Sequence, residues 1–193
     1  MNSTNPAHPL QVLGISGSLR GDSHNTTALR AVAALADPTI RLTMWNGLVG
    51  IPPFCEDHES EPAPAVRDLR TAFAEADSLL ISTPEYNGSI PGQLKNALDW
   101  ASRPYGASAL SGKPVTIMSA SPSAYGAQWA QDDLRKILTT CGAQVTVFSL
   151  AISQAHTAFR PDDVPHDPEL HESLLTLLHH IRPSTRDTSA ARR

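Results

Sequence analysis

The sequence is poor in features that would define a disulfide-bonded, metal-binding or membrane protein. It has two cysteines, Cys55 and Cys141, which lie far apart and form no CxxC pair. Neither a disulfide framework nor a thiolate metal site is therefore expected. No apolar run approaches the roughly 18 residues that a membrane-spanning helix needs. These absences predict a protein of the reducing cytoplasm that has no membrane span.

The sequence also lacks clusters of like charge and closely spaced pairs of histidines. The formal net charge is −4, and no block of like charge interrupts the region expected to fold. A basic surface for nucleic acid is therefore not expected. The 8 histidines are scattered, and none forms a pair with zinc-helix spacing, so no metal site is predicted. Residues 1–9 and 183–193 are polar and are predicted to be disordered, with no apolar core of a signal peptide in the first segment.

Apolar patterning organises residues 10–182 into one domain of alternating strands and helices. Buried or alternating runs predict strands at residues 10–16, 40–45, 78–82, 114–119 and 144–150. Helical spacing predicts helices after the first loop, at 65–76, from Pro91, at 128–140 and at 168–181. Such alternation forces parallel pairing with right-handed crossovers. We therefore expect a doubly wound α/β fold, a flavodoxin-like five-stranded parallel sheet of order 2-1-3-4-5 in a three-layer α/β/α arrangement.

In that strand order, the first and third strands meet at the switch point where open α/β sheets bind ligands. The first strand runs into GSLRGDSHN, residues 17–25. The third strand runs into TPEYNGSIPGQLKNALDW, residues 83–100. Because parallel strands end at the same edge of the sheet, we expect these two loops to lie side by side and form the binding site.

The first loop has the composition of a phosphate-binding turn. Three glycines allow close backbone approach, namely Gly14, Gly17 and Gly21. Four side chains offer hydrogen bonds, namely Ser16, Ser18, Ser23 and Asn25. The helix that follows adds free N–H groups and a positive dipole end, and Arg20 is the only cation. The loop has neither the lysine motif of P-loop proteins nor G-x-G-x-x-G, so a terminal phosphomonoester fits best. The alternative is a plain helix cap supplied by Ser23 or Asp22.

The second loop is predicted to bind a flat heterocycle through its backbone. Pro84 stops strand pairing, Asn87 and Gly88 form a turn dipeptide, and Pro91 begins the next helix. Glu85 is a candidate general base, but no histidine or lysine lies near it in sequence. Backbone N–H and C=O groups held in this way suit the edge of a ring that needs both donors and acceptors. For Trp100 we favour ordinary packing in the core.

Together, GSLRGDSHN and TPEYNGSIPGQLKNALDW closely resemble the motifs of the NADPH-dependent FMN reductase family, which includes azo, quinone and chromate reductases. The resemblance implies bound FMN, with NADPH or NADH as co-substrate and a flavin, quinone, azo compound or metal oxyanion as acceptor. No catalytic side chain is then required, because the flavin carries the chemistry. The implied phosphate contacts are Ser16, Ser18, Arg20, Ser23 and Asn25, and Leu19 is a further implied cofactor-binding residue. The implied contacts to the flavin ring are Pro84, Glu85, Tyr86 and Asn87, with Ser89 close by.

The loop after the fourth strand departs from the resemblance. Members of the family usually carry a Gly-Gly pair over the flavin, whereas this chain has SASPSAYGAQWA. The residues expected at the cofactor there are Ser119, Ser121 and Tyr125. Pro122 and Trp129 make the loop stiffer and bulkier than a glycine pair.

Two other functions and a mode of assembly accompany this interpretation. A flavodoxin-type electron carrier would be more acidic than a net charge of −4. A flavin-free regulatory or partner-binding domain could use the same fold. The resemblance also implies a homodimer or homotetramer, in which Tyr105 and residues 48–53 of one subunit help to wall the flavin pocket of another.

Overall fold

Five parallel strands form a single sheet in the order β2-β1-β3-β4-β5, in a computed structural model that describes residues 8–182. The strands are β1 Leu10–Ser16, β2 Ile40–Trp45, β3 Ser78–Thr83, β4 Pro114–Ala120 and β5 Gln144–Ile152. The helices are α1 His24–Leu35, α2 Pro64–Glu75, α3 Gly92–Ala101, α4 Gln128–Thr140, α5 Ala155–Ala158 and α6 Pro168–Ile181. The predicted flavodoxin-like fold and strand order are confirmed. The segment 183–193 and residues 1–7 lie outside the described part.

Several element boundaries differ from the prediction by one or two residues. Helix α2 begins at Pro64. Proline suits the first turn of a helix because the backbone N–H that it lacks would have no acceptor within the helix. Pro91 is the N-cap of α3 and not its first residue, because its backbone is extended with ψ of 139°. Strand β5 continues to Ile152, two residues further than predicted. The four-residue helix α5 was not predicted, because one turn is too short to show a period.

The core lies in two layers, one on each face of the sheet. Strand β3 is buried along its whole length, and its side chains alternate between the layers. Leu79 and Ile81 pack in a cluster with α2, α3 and α4. Leu80 packs on the other face with α1 and α6. Fully burying a side chain of this size contributes about 1.5–3 kcal/mol, so the central strand holds both layers together.

Helix α3 fixes the long connection between β2 and α2 through one polar stripe. Gln93 Nε2 donates to the Leu48 carbonyl at 2.8 Å. One turn later, Asn96 Nδ2 donates to the Pro52 carbonyl at 2.8 Å. Trp100 is 1% exposed, which confirms its place in the core, and its Nε1 donates to the same Pro52 carbonyl at 2.9 Å. This connection, residues 46–63 and called the excursion below, is therefore anchored to α3.

Asn25 makes a long-range polar contact at the carboxyl edge of the sheet. It is 2% exposed. Its Nδ2 donates to the Ala120 carbonyl at 2.9 Å, and its Oδ1 accepts from the Ala120 amide at 3.0 Å. The same oxygen accepts from Ser82 Oγ at 2.8 Å. One amide therefore joins the start of α1 to the ends of β3 and β4.

We expect Asn25→Ala to lower the free energy of unfolding by about 2–4 kcal/mol, because buried donors and acceptors of Ala120 and Ser82 lose their partner. Chemical denaturation measures the change. The exposed Asn46 supplies the control, and Asn46→Ala should stay within about 0.5 kcal/mol of the wild type. Equal stability of the two variants would show that water replaces the Asn25 amide at no cost.

Candidate functional site

The ends of β1 and β3 form the predicted switch point. Ser16 lies beside Ser82 in the register of these strands, while Ile15 lies beside Trp45 of β2. A cleft of about 220 Å³ opens at this edge. Its lining consists of Ser16, Ser18, Leu19, Arg20, Gly21, Thr26, Trp45, Asn46, Leu48 and Val49. The cleft therefore combines the first loop with the anchored excursion after β2.

A hydroxyl cluster forms the floor of this cleft. Ser16 Oγ accepts from the Ser18 amide at 3.3 Å. Thr26 Oγ1 donates to the same Ser16 oxygen at 3.0 Å. The Arg20 amide donates to Ser18 Oγ at 3.3 Å, and both Arg20 and Leu19 have exposed side chains. The structure thus brings together Ser16, Ser18, Leu19 and Arg20.

Thr26 belongs to this cluster but was not predicted from the sequence. It lies in the first turn of α1, where the chain already shows helical spacing. A hydroxyl in the third position of a helix that follows a glycine-rich loop faces back toward that loop. Its position in the helix could therefore have predicted a role for Thr26 in the loop. The prediction used only the apolar residues of this helix and so missed it.

Ser23 and Asn25 support the loop from behind. Ser23 is the N-cap of α1, its Oγ accepts from the Thr26 amide at 3.3 Å, and the side chain is 4% exposed. The helix-cap interpretation is therefore correct for Ser23. The carboxamide of Asn25 is engaged with β3 and β4 as described above. Whether these two side chains also reach a phosphate stays a prediction.

The start of α1 is electropositive. Burial lowers the pKa of His24, and the nearby Arg20 guanidinium and His156 imidazole lower it further. Like-charged neighbours act in this way because they disfavour a second proton. The dipole of α1 adds partial positive charge at the same place. An anion bound there would meet a favourable field.

Gly17 is required by the close approach of the two loops. Its amide donates to the Ser82 carbonyl at 2.7 Å. A Cβ at this position would lie 2.9 Å from Leu94 Cδ2 and 3.4 Å from Pro84 Cδ. The first loop thus rests directly on the start of the second.

The second loop closes in a tight turn with positive φ at both central residues. Asn87 has φ of 53° and Gly88 has φ of 76°. The Tyr86 amide donates to the Ser89 carbonyl at 2.9 Å, and the Ser89 amide donates back at 3.2 Å. This is the geometry of a type I′ turn, as the Asn-Gly pair predicts. The Tyr86 amide forms its hydrogen bond inside the turn. The amides of Glu85 and Asn87 have no hydrogen-bond acceptor within residues 8–182.

Glu85 ties the second loop to helix α4. Its Oε2 accepts from the Ala130 amide at 3.3 Å. The N-cap of α4 is Ala127, which has φ of 65° and no side-chain oxygen to cap the helix. A carboxylate near a helix N-terminus is stabilising. Glu85 thus supplies from another loop the acceptor that Ala127 lacks.

The third loop follows β4 and consists of residues 121–127. The residues predicted at the cofactor in this loop and at the end of β4 differ in how exposed they are. Ser119 is fully buried, and its hydroxyl donates to the Gly126 carbonyl while accepting from Gln131 Nε2 at 2.6 Å. Ser121 Oγ donates to Ser123 Oγ at 3.1 Å. Tyr125 is 77% exposed. The structure therefore directs the Ser119 hydroxyl into the protein and leaves Tyr125 in contact with solvent.

Two further structural findings concern ligands and membranes. Within residues 8–182, no three His, Cys, Asp or Glu side chains cluster in a way that could hold a metal ion. In the same range, no helix has the length and apolar character needed to cross a bilayer.

Comparison with known proteins gives consistent matches. A family model described as NADPH-dependent FMN reductase matches residues 10–157. A 2-hydroxy-1,4-benzoquinone reductase of Burkholderia sp is 43% identical over 128 residues, which cover 66% of this chain and 69% of that protein. An NAD(P)H-dependent FMN reductase of Pseudomonas aeruginosa is 41% identical over 152 residues, which cover 78% of this chain and 81% of that protein.

The structure is also similar to solved structures. FerB, a flavoenzyme NAD(P)H:(acceptor) oxidoreductase from Paracoccus denitrificans, superposes with a TM-score of 0.80 at 30% identity, covering 89% of this chain and 96% of that one. An azoreductase from Bacillus anthracis superposes with a TM-score of 0.57 at 17% identity, covering 88% of this chain and 95% of that one, and shows likeness of fold alone.

We expect Gly88→Val to lower the free energy of unfolding by about 1–3 kcal/mol, because a β-branched residue resists positive φ. Thermal and chemical denaturation measure the loss. The matched control is Gly88→Asn, since asparagine tolerates this backbone region and should cost clearly less. Equal losses for valine and asparagine would attribute the effect to contact with Trp129 and not to the backbone.

Proposed function

The chain belongs to the NADPH-dependent FMN reductase family, and we propose that it passes two electrons from NAD(P)H, through FMN held at the β1/β3 edge, to a quinone-type small molecule. It is an oxidoreductase that uses FMN with NAD(P)H as electron donor. The observation that carries the assignment of the site is that the first loop, which lines the hydroxyl-bearing cleft, is hydrogen-bonded through Gly17 to Ser82, where the second loop begins.

The cleft has the donor chemistry that a phosphate group needs. Three hydroxyls line it, from Ser16, Ser18 and Thr26, and Arg20 is its cation. Charge-assisted hydrogen bonds to a phosphate are about twice as strong as neutral ones, and the N-terminus of α1 faces the same edge. We propose that these four residues hold the FMN phosphate, while Ser23 and Asn25 keep the loop in shape. Leu19 and the excursion residues Leu48 and Val49 would form the apolar sides.

The second loop fits the flavin ring. The amides of Glu85 and Asn87 remain available, and Pro84 limits the freedom of the backbone before the ligand arrives. We propose that these amides donate to the polar edge of the ring, with Tyr86 and Ser89 bracketing it. Preorganised N–H donors stabilise negative charge wherever it develops.

When bound, FMN supplies the redox chemistry, taking a hydride from NAD(P)H and giving two electrons to the acceptor. The protein residues position the reactants and exclude water, so no protein acid or base is assigned. Tyr125, Ser121 and Ser119 would act through the shape of the third loop, the last of these by holding the Gly126 carbonyl.

The decisive experiment is an absorbance spectrum of the pure protein, followed by stopped-flow reduction with NADH and with NADPH. We expect a yellow protein that oxidises NAD(P)H steadily once menadione is added. Bound FMN without steady NAD(P)H oxidation would instead indicate an electron carrier. Protein that stays colourless after FMN is added would indicate a flavin-free partner-binding domain.

The phosphate assignment predicts that FMN binds far more tightly than riboflavin. Arg20→Ala should weaken FMN binding by about 1.5–3 kcal/mol, the cost of losing a charge-assisted contact, and leave riboflavin nearly unchanged. Titration of the apoprotein by flavin fluorescence measures both affinities. Arg41→Ala is the matched control, because it removes an exposed arginine near the amino end of β2, outside the lining of the cleft. Equal affinities for FMN and riboflavin in the wild type would contradict the assignment.

We further propose a cytoplasmic homodimer or homotetramer. Val49 is 74% exposed and Tyr105 is 90% exposed, which suits a surface that another subunit covers. Tyr105 lies between the end of α3 and the start of β4, and therefore at the opposite edge of the sheet from the cleft of its own chain. A second copy of the chain would be needed to place a Tyr105 side chain at the cleft. Light scattering should give a dimer or larger, and Tyr105→Glu should shift it toward monomer. A fully active monomer at micromolar concentration would contradict this arrangement.

A further inference from the structure

Exposed apolar side chains rim the carboxyl edge of the sheet. Each of the connections that follow β1, β2, β3 and β4 carries at least one. They are Leu19, Val49, Tyr86, Tyr125 and Trp129. Large apolar side chains concentrated at one edge mark a surface for a ligand or a partner. The same edge holds the proposed FMN site, so the rim borders the place where an electron acceptor must arrive.

Tyr86 belongs to the turn of the second loop, and Trp129 is the member of this rim that α4 places against that turn. Its Cε3 atom lies 3.7 Å from the point that a Cβ on Gly88 would occupy. The next residue, Ala130, donates its amide to Glu85 at 3.3 Å. Trp129 is nevertheless 69% exposed. The indole is thus held at the turn by its own helix and leaves most of its surface open.

Negative charge lies beside this indole. Asp132 and Asp133 follow Trp129 by three and four positions on α4, so they share its face of the helix. Among the described residues, neither carboxylate forms an ion pair, including with Lys136 on the next turn. An aromatic surface beside carboxylates attracts flat neutral molecules and disfavours anions.

We propose that Trp129 determines acceptor specificity: a neutral planar quinone stacks on its indole, while Asp132 and Asp133 disfavour anionic acceptors such as metal oxyanions and ferricyanide. The inference rests on the proposed function. In the reaction, a quinone, NAD(P)H and a proton from solvent give a hydroquinone and NAD(P)⁺. With ferricyanide, each NAD(P)H reduces two acceptor ions and releases one proton.

The test compares kcat/KM for menadione with kcat/KM for ferricyanide in the FMN-loaded protein. Trp129→Ala should lower the menadione-to-ferricyanide ratio roughly tenfold, the scale of a lost aromatic stack. Trp129→Phe should restore most of the ratio, because a flat ring is kept. Asp132→Asn should move the ratio toward ferricyanide by roughly threefold at low salt, and the shift should fade as salt screens the charge. Asp68→Asn, which removes an exposed carboxylate of α2, is the matched charge control.

A binding measurement without NAD(P)H separates stacking from turnover. Menadione should quench the tryptophan emission of the oxidised wild type, and Trp129→Phe should lose the saturable part of that quenching. Wild-type protein that oxidises no NAD(P)H with either acceptor would overturn the proposed function. An active wild type whose ratio is unchanged in Trp129→Ala would overturn the role of Trp129 alone. A Trp129→Ala protein that loses its oligomeric state but keeps the ratio would also overturn it, and would make the indole a subunit contact.

Discussion

The buried carboxamide of Asn25 is the contact on which the carboxyl edge of this sheet depends. Parallel strands leave unpaired backbone groups where they end, and water cannot reach the inner ones. Asn25 satisfies both backbone groups of Ala120 and also accepts from Ser82. Because the residue also lies in the first turn of α1, the first loop cannot move independently of β3 and β4. The cleft and the tight turn thus share one rigid support.

The fold could be predicted from sequence because period and alternation determine it. Strand β1, strand β2, helix α4 and helix α6 have the predicted bounds. The type I′ turn was also predictable, since Asn87 and Gly88 are the residue types that accept positive φ. Each of these features is local, so the pattern that specifies it lies within a few residues of the chain.

The parts of the site that sequence did not predict are those that depend on distant residues. The partners of Asn25 lie 57 and 95 positions away, and no local pattern reports such a bond. Ser119 is predicted at the cofactor, and that contact stays a prediction; the hydrogen bonds of its hydroxyl with Gly126 and Gln131 are ones that no local pattern reports. Glu85 looked like a candidate base, whereas its carboxylate caps a helix that begins in another loop. Several polar side chains at this edge therefore hold loops and helices in place through hydrogen bonds within the protein.

The anchoring of the excursion after β2 has a kinetic consequence. Its backbone cannot swing away from the cleft unless the hydrogen bonds from Gln93, Asn96 and Trp100 break together. Local openings of that size are rare, because their frequency falls exponentially with the free energy needed to break those bonds. This wall therefore does not serve as a gate. We therefore expect this wall to stay in place while reactants enter and leave elsewhere along the same edge.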